Sequence, residues 1–129
     1  MKSPVALLLL LALIVPPACA AEPTPVPLFD GIGSYSRTVS TASPEAQRYF
    51  DQGLAFMYAF NHDEAIRAFT RAAELDPDCA MAHWGVAIAN GPHINNTAVP
   101  PERAAAAWAA LGRARAASAG ASAVERALI

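Results

Sequence analysis

The sequence predicts an all-α chain of antiparallel helical hairpins, and three observations lead there. Beyond the first twenty residues the chain is dominated by Ala, Leu and other helix formers, and Val and Ile never alternate with polar residues as a strand requires. Tyr49, Gly53, Phe56, Ala65, Phe69, Ala72 and Pro77 form an ordered series of aromatic and small residues closed by a proline, which suits two helices packed face to face. Parts of the series return. His83-Trp84 follows Tyr49-Phe50 by 34 residues, and Ala104-x3-Trp108-x2-Leu111 follows Ala65-x3-Phe69-x2-Ala72 by 39.

Residues 1–20 read as a secretory signal peptide. Lys2 supplies the positive end, Val5 to Val15 is an apolar run too short to span a membrane, and Ala18-Cys19-Ala20 offers small residues for cleavage before Ala21. The expected location is periplasmic or secreted, with no membrane attachment after cleavage. Cys19 leaves a second route open, a lipoprotein modified on that residue. Residues 21–42 read as an extended Pro- and Gly-rich segment, because Glu22 to Pro27 has no packing period. Leu28, Phe29 and Ile32 form an apolar patch within it that is costly to leave in water, so it is expected against the helices.

Residues 43–129 hold the helical repeats. Ser43-Pro44-Glu45 combines an N-cap, a proline at the first helical position and an acid in the first turn, so a helix runs from there to about Phe60. Asn61 turns the chain, and Asp63-Glu64 open a second helix ending near Leu75, before Asp76-Pro77. Asp78 is the expected cap of a third helix, which Gly91-Pro92 stops after Asn90. Pro100-Pro101 start a fourth helix reaching about Ala117, and Ser122 caps a last one running to Ile129. Gly53 is expected opposite Ala65, with Phe56 and Phe69 filling the space beside them. The turn between Gly91 and Pro100 is five residues longer than its counterpart and should project as an irregular loop. The last helix carries a start signal and no stop signal, so the sequence reads as two hairpins and the start of a third, the N-terminal portion of a longer protein.

The spacing of Tyr49, Gly53, Phe56, Ala65, Phe69, Ala72 and Pro77 resembles the 34-residue tetratricopeptide repeat, which folds as two antiparallel helices and stacks into an α-α superhelix. Longer runs, Ser43 to Leu54, Phe60 to Ala65, Asp76 to Ala82, Trp84-Gly85 and Glu125 to Ile129, resemble a family of exported bacterial tetratricopeptide proteins. The resemblance implies a scaffold for a protein or peptide partner. Relatives often carry paired His after the Gly-x-Gly turn; here Ser34-Tyr35-Ser36 stands there instead.

By the repeat register, Phe50, Leu54, Met57 and Tyr58 line an apolar concave groove for a partner. The competing reading is that another part of the protein already covers them. From the long turn, His93, Ile94, Asn95 and Asn96 are the expected contact residues. Chemistry finds little support. Cys79-x-Met81-x-His83 sets neighbouring ligands about 200° apart on a helix, so the three cannot share one ion. Cys79 reads as a buried small residue and His83 as packing. No haem motif and no phosphate loop occurs, and the cations form no basic stripe for nucleic acid. The expectation is a scaffold with no cofactor, metal or catalytic residue of its own. An alternative makes the repeats an accessory segment of a longer enzyme or metal-handling protein whose active part lies beyond residue 129.

Overall fold

The computed structural model describes residues 26–95 and 97–129. Their regular elements are α1 (Pro44–Tyr58), α2 (His62–Leu75), α3 (Ala80–Asn90), α4 (Pro101–Ala117), a single 3₁₀ turn (Ser118–Gly120) and α5 (Ala123–Leu128). The chain is all-helical, as the sequence predicts. Among the described residues no helix is long and apolar enough to cross a membrane.

Local chemistry sets the ends. The Ser43 side chain accepts from the Ala46 N–H at 3.1 Å, and Pro44 follows at the first helical position. Phe60 ends α1 in the left-handed region, with φ 60°. The Phe60 N–H donates to the Met57 carbonyl at 3.1 Å and the Asn61 N–H to the Phe56 carbonyl at 2.9 Å, the double closure that normally relies on a Gly. The cap of α3 is Cys79 rather than Asp78. The reason is Asp76: its carboxylate accepts from the Asp78 N–H at 3.2 Å and its carbonyl from the Cys79 N–H at 3.0 Å, so the turn consumes Asp78 before the helix begins.

Helices α1 and α2 form one hairpin, α3 and α4 a second, and α3 packs on both helices of the first. The core lies where they stack. Phe69 is 0% exposed, and its ring centroid is 5.4 Å from that of Phe50. Gly53 and Gly85 flank the same ring: a Cβ on Gly53 would stand 2.6 Å from Phe69, and one on Gly85 2.4 Å. Phe69 fills the space beside Gly53, and Phe56, half-buried against the same core, meets Phe29 edge-on at 5.7 Å. Ala65 is fully buried. Ala65→Leu should lower unfolding stability by about 1–3 kcal/mol by overpacking, read as a shifted denaturant midpoint with an unchanged slope.

The segment before α1 is a strap held by side chains of that helix. The Tyr49 hydroxyl donates to the Val26 carbonyl at 2.7 Å, and Gln52 binds the backbone on both sides of Leu28, donating to Pro27 O at 2.9 Å and accepting from Phe29 N–H at 2.8 Å. Asp51 accepts from the Ser36 hydroxyl at 2.7 Å and the Arg37 N–H at 3.0 Å, while Gln47 accepts from the Val39 N–H at 3.0 Å. An extended backbone has no ladder partners of its own, so these bonds supply them. At its far end the strap meets α5: Glu125, which is buried, accepts from the Ser40 N–H at 2.7 Å and the Ser40 hydroxyl at 2.5 Å.

Candidate functional site

The structure corrects the groove expected from the repeat register. Phe50 is 0% and Leu54 2% exposed, and both belong to one cluster with Met81, Ala82 and Val86 of α3. The second hairpin covers them, so they are core. Met57 packs partly buried against the same cluster. Tyr58 alone of the four is exposed, and its ring lies edge-on to Tyr35 at 6.4 Å.

Their counterparts one repeat later are less covered. Trp84 takes the place of Phe50, Ile88 that of Leu54 and Trp108 that of Phe69. Ile88 is 43% and Trp108 72% exposed. With Ala87, Ala104, Ala107 and Leu111 they line an apolar groove of about 470 Å³ between α3 and α4, and Leu128 and Ile129 close one side. Arg115 stands beside Trp108, Leu111 and Gly112 at its margin. Sequence reasoning missed this face, although the signal was present: the same recurrence that aligned Tyr49-Phe50 with His83-Trp84 also aligned Phe69 with Trp108.

A second cleft, about 310 Å³, lies at the end of the first hairpin and is lined by Phe60, His62, Asp63, Asn90, His93 and Arg103 among others. His93 comes from the long turn and stacks on His62, ring centroids 4.3 Å apart and planes 20° off parallel. His62 Nδ1 lies 3.1 Å from the Phe60 carbonyl, an oxygen that can only accept. His93 Nδ1 is buried and has no hydrogen-bond partner among the described residues. Asp63 and Arg103 pair across the same cleft, joining α2 to α4. Stacked imidazoles present their nitrogens side by side, not converging on one ion. Among the described residues no group of three or more His, Cys, Asp or Glu is placed to hold a metal. Ile94 and Asn95 point to solvent, whereas Asn96 lies outside the described residues.

Cys79 is buried in the core, and burial raises its thiol pKa, which disfavours the reactive thiolate. His83 Nε2 lies 2.9 Å from the Pro77 carbonyl and ties the start of α3 to the turn before it.

Neither a search of curated proteins nor one of solved structures found a match to the chain. A family model does match, over residues 46–79, the stretch from the first turn of α1 to the cap of α3. That model is the tetratricopeptide repeat, and the hairpin geometry and the packing of Phe69 between Gly53 and Gly85 agree with one such repeat over residues 46–79.

Proposed function

We propose that the chain is a protein-interaction scaffold whose docking surface is the open groove of the second hairpin, and that its partner enters as a helix. One observation carries the reading. Of the residues that α3 buries on the first hairpin, Leu54 and Phe69 have exposed counterparts in Ile88 and Trp108, and Phe50 a half-buried one in Trp84. Large apolar side chains grouped on a surface favour a partner, since each stabilises a complex by about 1.5–3 kcal/mol once covered. The surface offers hydrophobic contact and no set of groups for catalysis, so the proposed role is non-catalytic. The reading of residues 1–20 as an export leader falls outside the described residues and stays within this proposal.

A photocrosslinking side chain placed at position 108 should capture a defined protein partner in cells, and the same group at Ala106, on the far side of α4, should not. Ile88→Asp should reduce the adduct at position 108 by at least about tenfold while leaving the helical circular dichroism unchanged. Equal capture from both positions would show that the groove is not the docking face.

A further inference from the structure

We infer that the stacked His62 and His93 form an acid-sensitive latch: the stack holds at neutral pH and parts when both rings are protonated, releasing the segment that carries His93 from the cleft. The two imidazoles come from different elements, His62 from the first residue of α2 and His93 from the segment after α3. Their centroids are 4.3 Å apart and their planes 20° off parallel, a flat contact that suits uncharged rings. Phe60 buttresses both, with its ring 6.2 Å from His62 and 6.3 Å from His93. It does so from φ 60°, a left-handed conformation that a bulky residue keeps only where its surroundings hold it.

Imidazole is the side chain whose charge changes between about pH 5 and 8. One proton on the pair leaves a cation beside a neutral ring; a second sets two like charges face to face at 4.3 Å. The surroundings offer no relief. Asp63 and Arg103 are the other charged side chains lining the cleft, and they are bonded to each other. Glu64 is paired with Arg67, and Glu102, in the first turn of α4, is not among the lining residues. His62 opens α2, where the helix dipole opposes a positive charge. In the charged ring of His93, Nδ1 is an N–H donor, and that atom is buried with no hydrogen-bond partner among the described residues. Both rings are hydrated once apart, so acid favours the parted state. The segment that carries His93 also supplies Gly91 and Pro92 to the wall of the apolar groove, so the latch couples acidity to that wall whatever fills the groove.

Nuclear Overhauser contacts between the ring protons of His62 and His93, measured in the full chain, read the latch directly. From about pH 7.5 to about pH 5 the contact should fall reversibly by at least about tenfold, while that between Phe50 and Phe69 persists. Glu125, held at about 2, keeps its charge over this range, so Ser40 should stay bonded to it. His62→Phe keeps a ring to stack on and removes one of the two charges, so His93 should remain docked at the lower pH. His83→Gln should behave as wild type, because His83 lies outside the cleft, beside Pro77. A His62–His93 contact undiminished at about pH 5 overturns the latch. So does undocking of His93 in His62→Phe over the same range, which places the trigger elsewhere. Loss of the Phe50–Phe69 contact together with the histidine contact means general unfolding and overturns a local switch.

Discussion

Phe69→Ala is expected to remove about 3–5 kcal/mol of unfolding stability, a large part of the margin of a small domain. The ring is wholly buried and is the one element shared by Gly53 of α1, Gly85 of α3 and Phe50. Its loss opens a cavity where three helices meet, and none can close on it without breaking its other contacts. Gly85→Ala should cost about 1–3 kcal/mol by driving a methyl group into the same ring. The two changes should not add. In the Phe69→Ala background the extra methyl has space, so the double variant should be more stable than the sum of the singles implies. Denaturant titrations of all four proteins give the coupling, and strict additivity would contradict the shared crossing.

That crossing was half legible in the sequence. The types and spacing of Gly53, Phe69 and Ala72 announced a helical hairpin, because a hairpin's contacts lie within some thirty residues and repeat in register. Caps such as Ser43-Pro44 were readable for the same reason, being local chemistry. What Phe50 and Leu54 face was not. An apolar position on a repeat helix is groove or core according to what stacks on it, and that depends on a neighbour the residue's own surroundings do not name. The same recurrence, carried one hairpin further, moves the exposed surface to Ile88 and Trp108, beside a half-buried Trp84. The pairing of His62 with His93 was hidden more deeply, since it depends on the path of a long turn with no periodicity.

Glu125→Gln is expected to destabilise the fold by about 2–3 kcal/mol at neutral pH and to release both the strap and α5. The Glu125 carboxyl is held at about 2, below its ordinary 4.5. Burial alone would raise it. The hydroxyl and N–H of Ser40, and then the N–H and side chain of Ser122, bond the charged form and outweigh that effect. A carboxyl depressed in the folded state stabilises above its unfolded pKa and loses that contribution as pH falls toward the folded value. The stability gap between wild type and Glu125→Gln should therefore be full above about pH 4.5 and shrink as pH falls toward about 2. Hydrogen exchange at the Ser40 amide should accelerate in the variant. A gap that does not change with pH would mean that the carboxylate is not what ties the strap to α5. No sequence pattern announced this bond, whose partners are 85 residues apart.

The strap has a consequence for assembly. Residues 26–41 are bonded to Gln47, Tyr49, Asp51 and Gln52 of α1 and reach Glu125 of α5, while the groove between α3 and α4 stays open. Among the described residues one apolar face is open, and α1 is covered by the strap. Copies adding head to tail would need both ends bare, and such heterologous contacts are what build open filaments. With α1 covered by the strap, the groove of one copy finds no bare α1 on the next, so head-to-tail addition through these two surfaces is disfavoured.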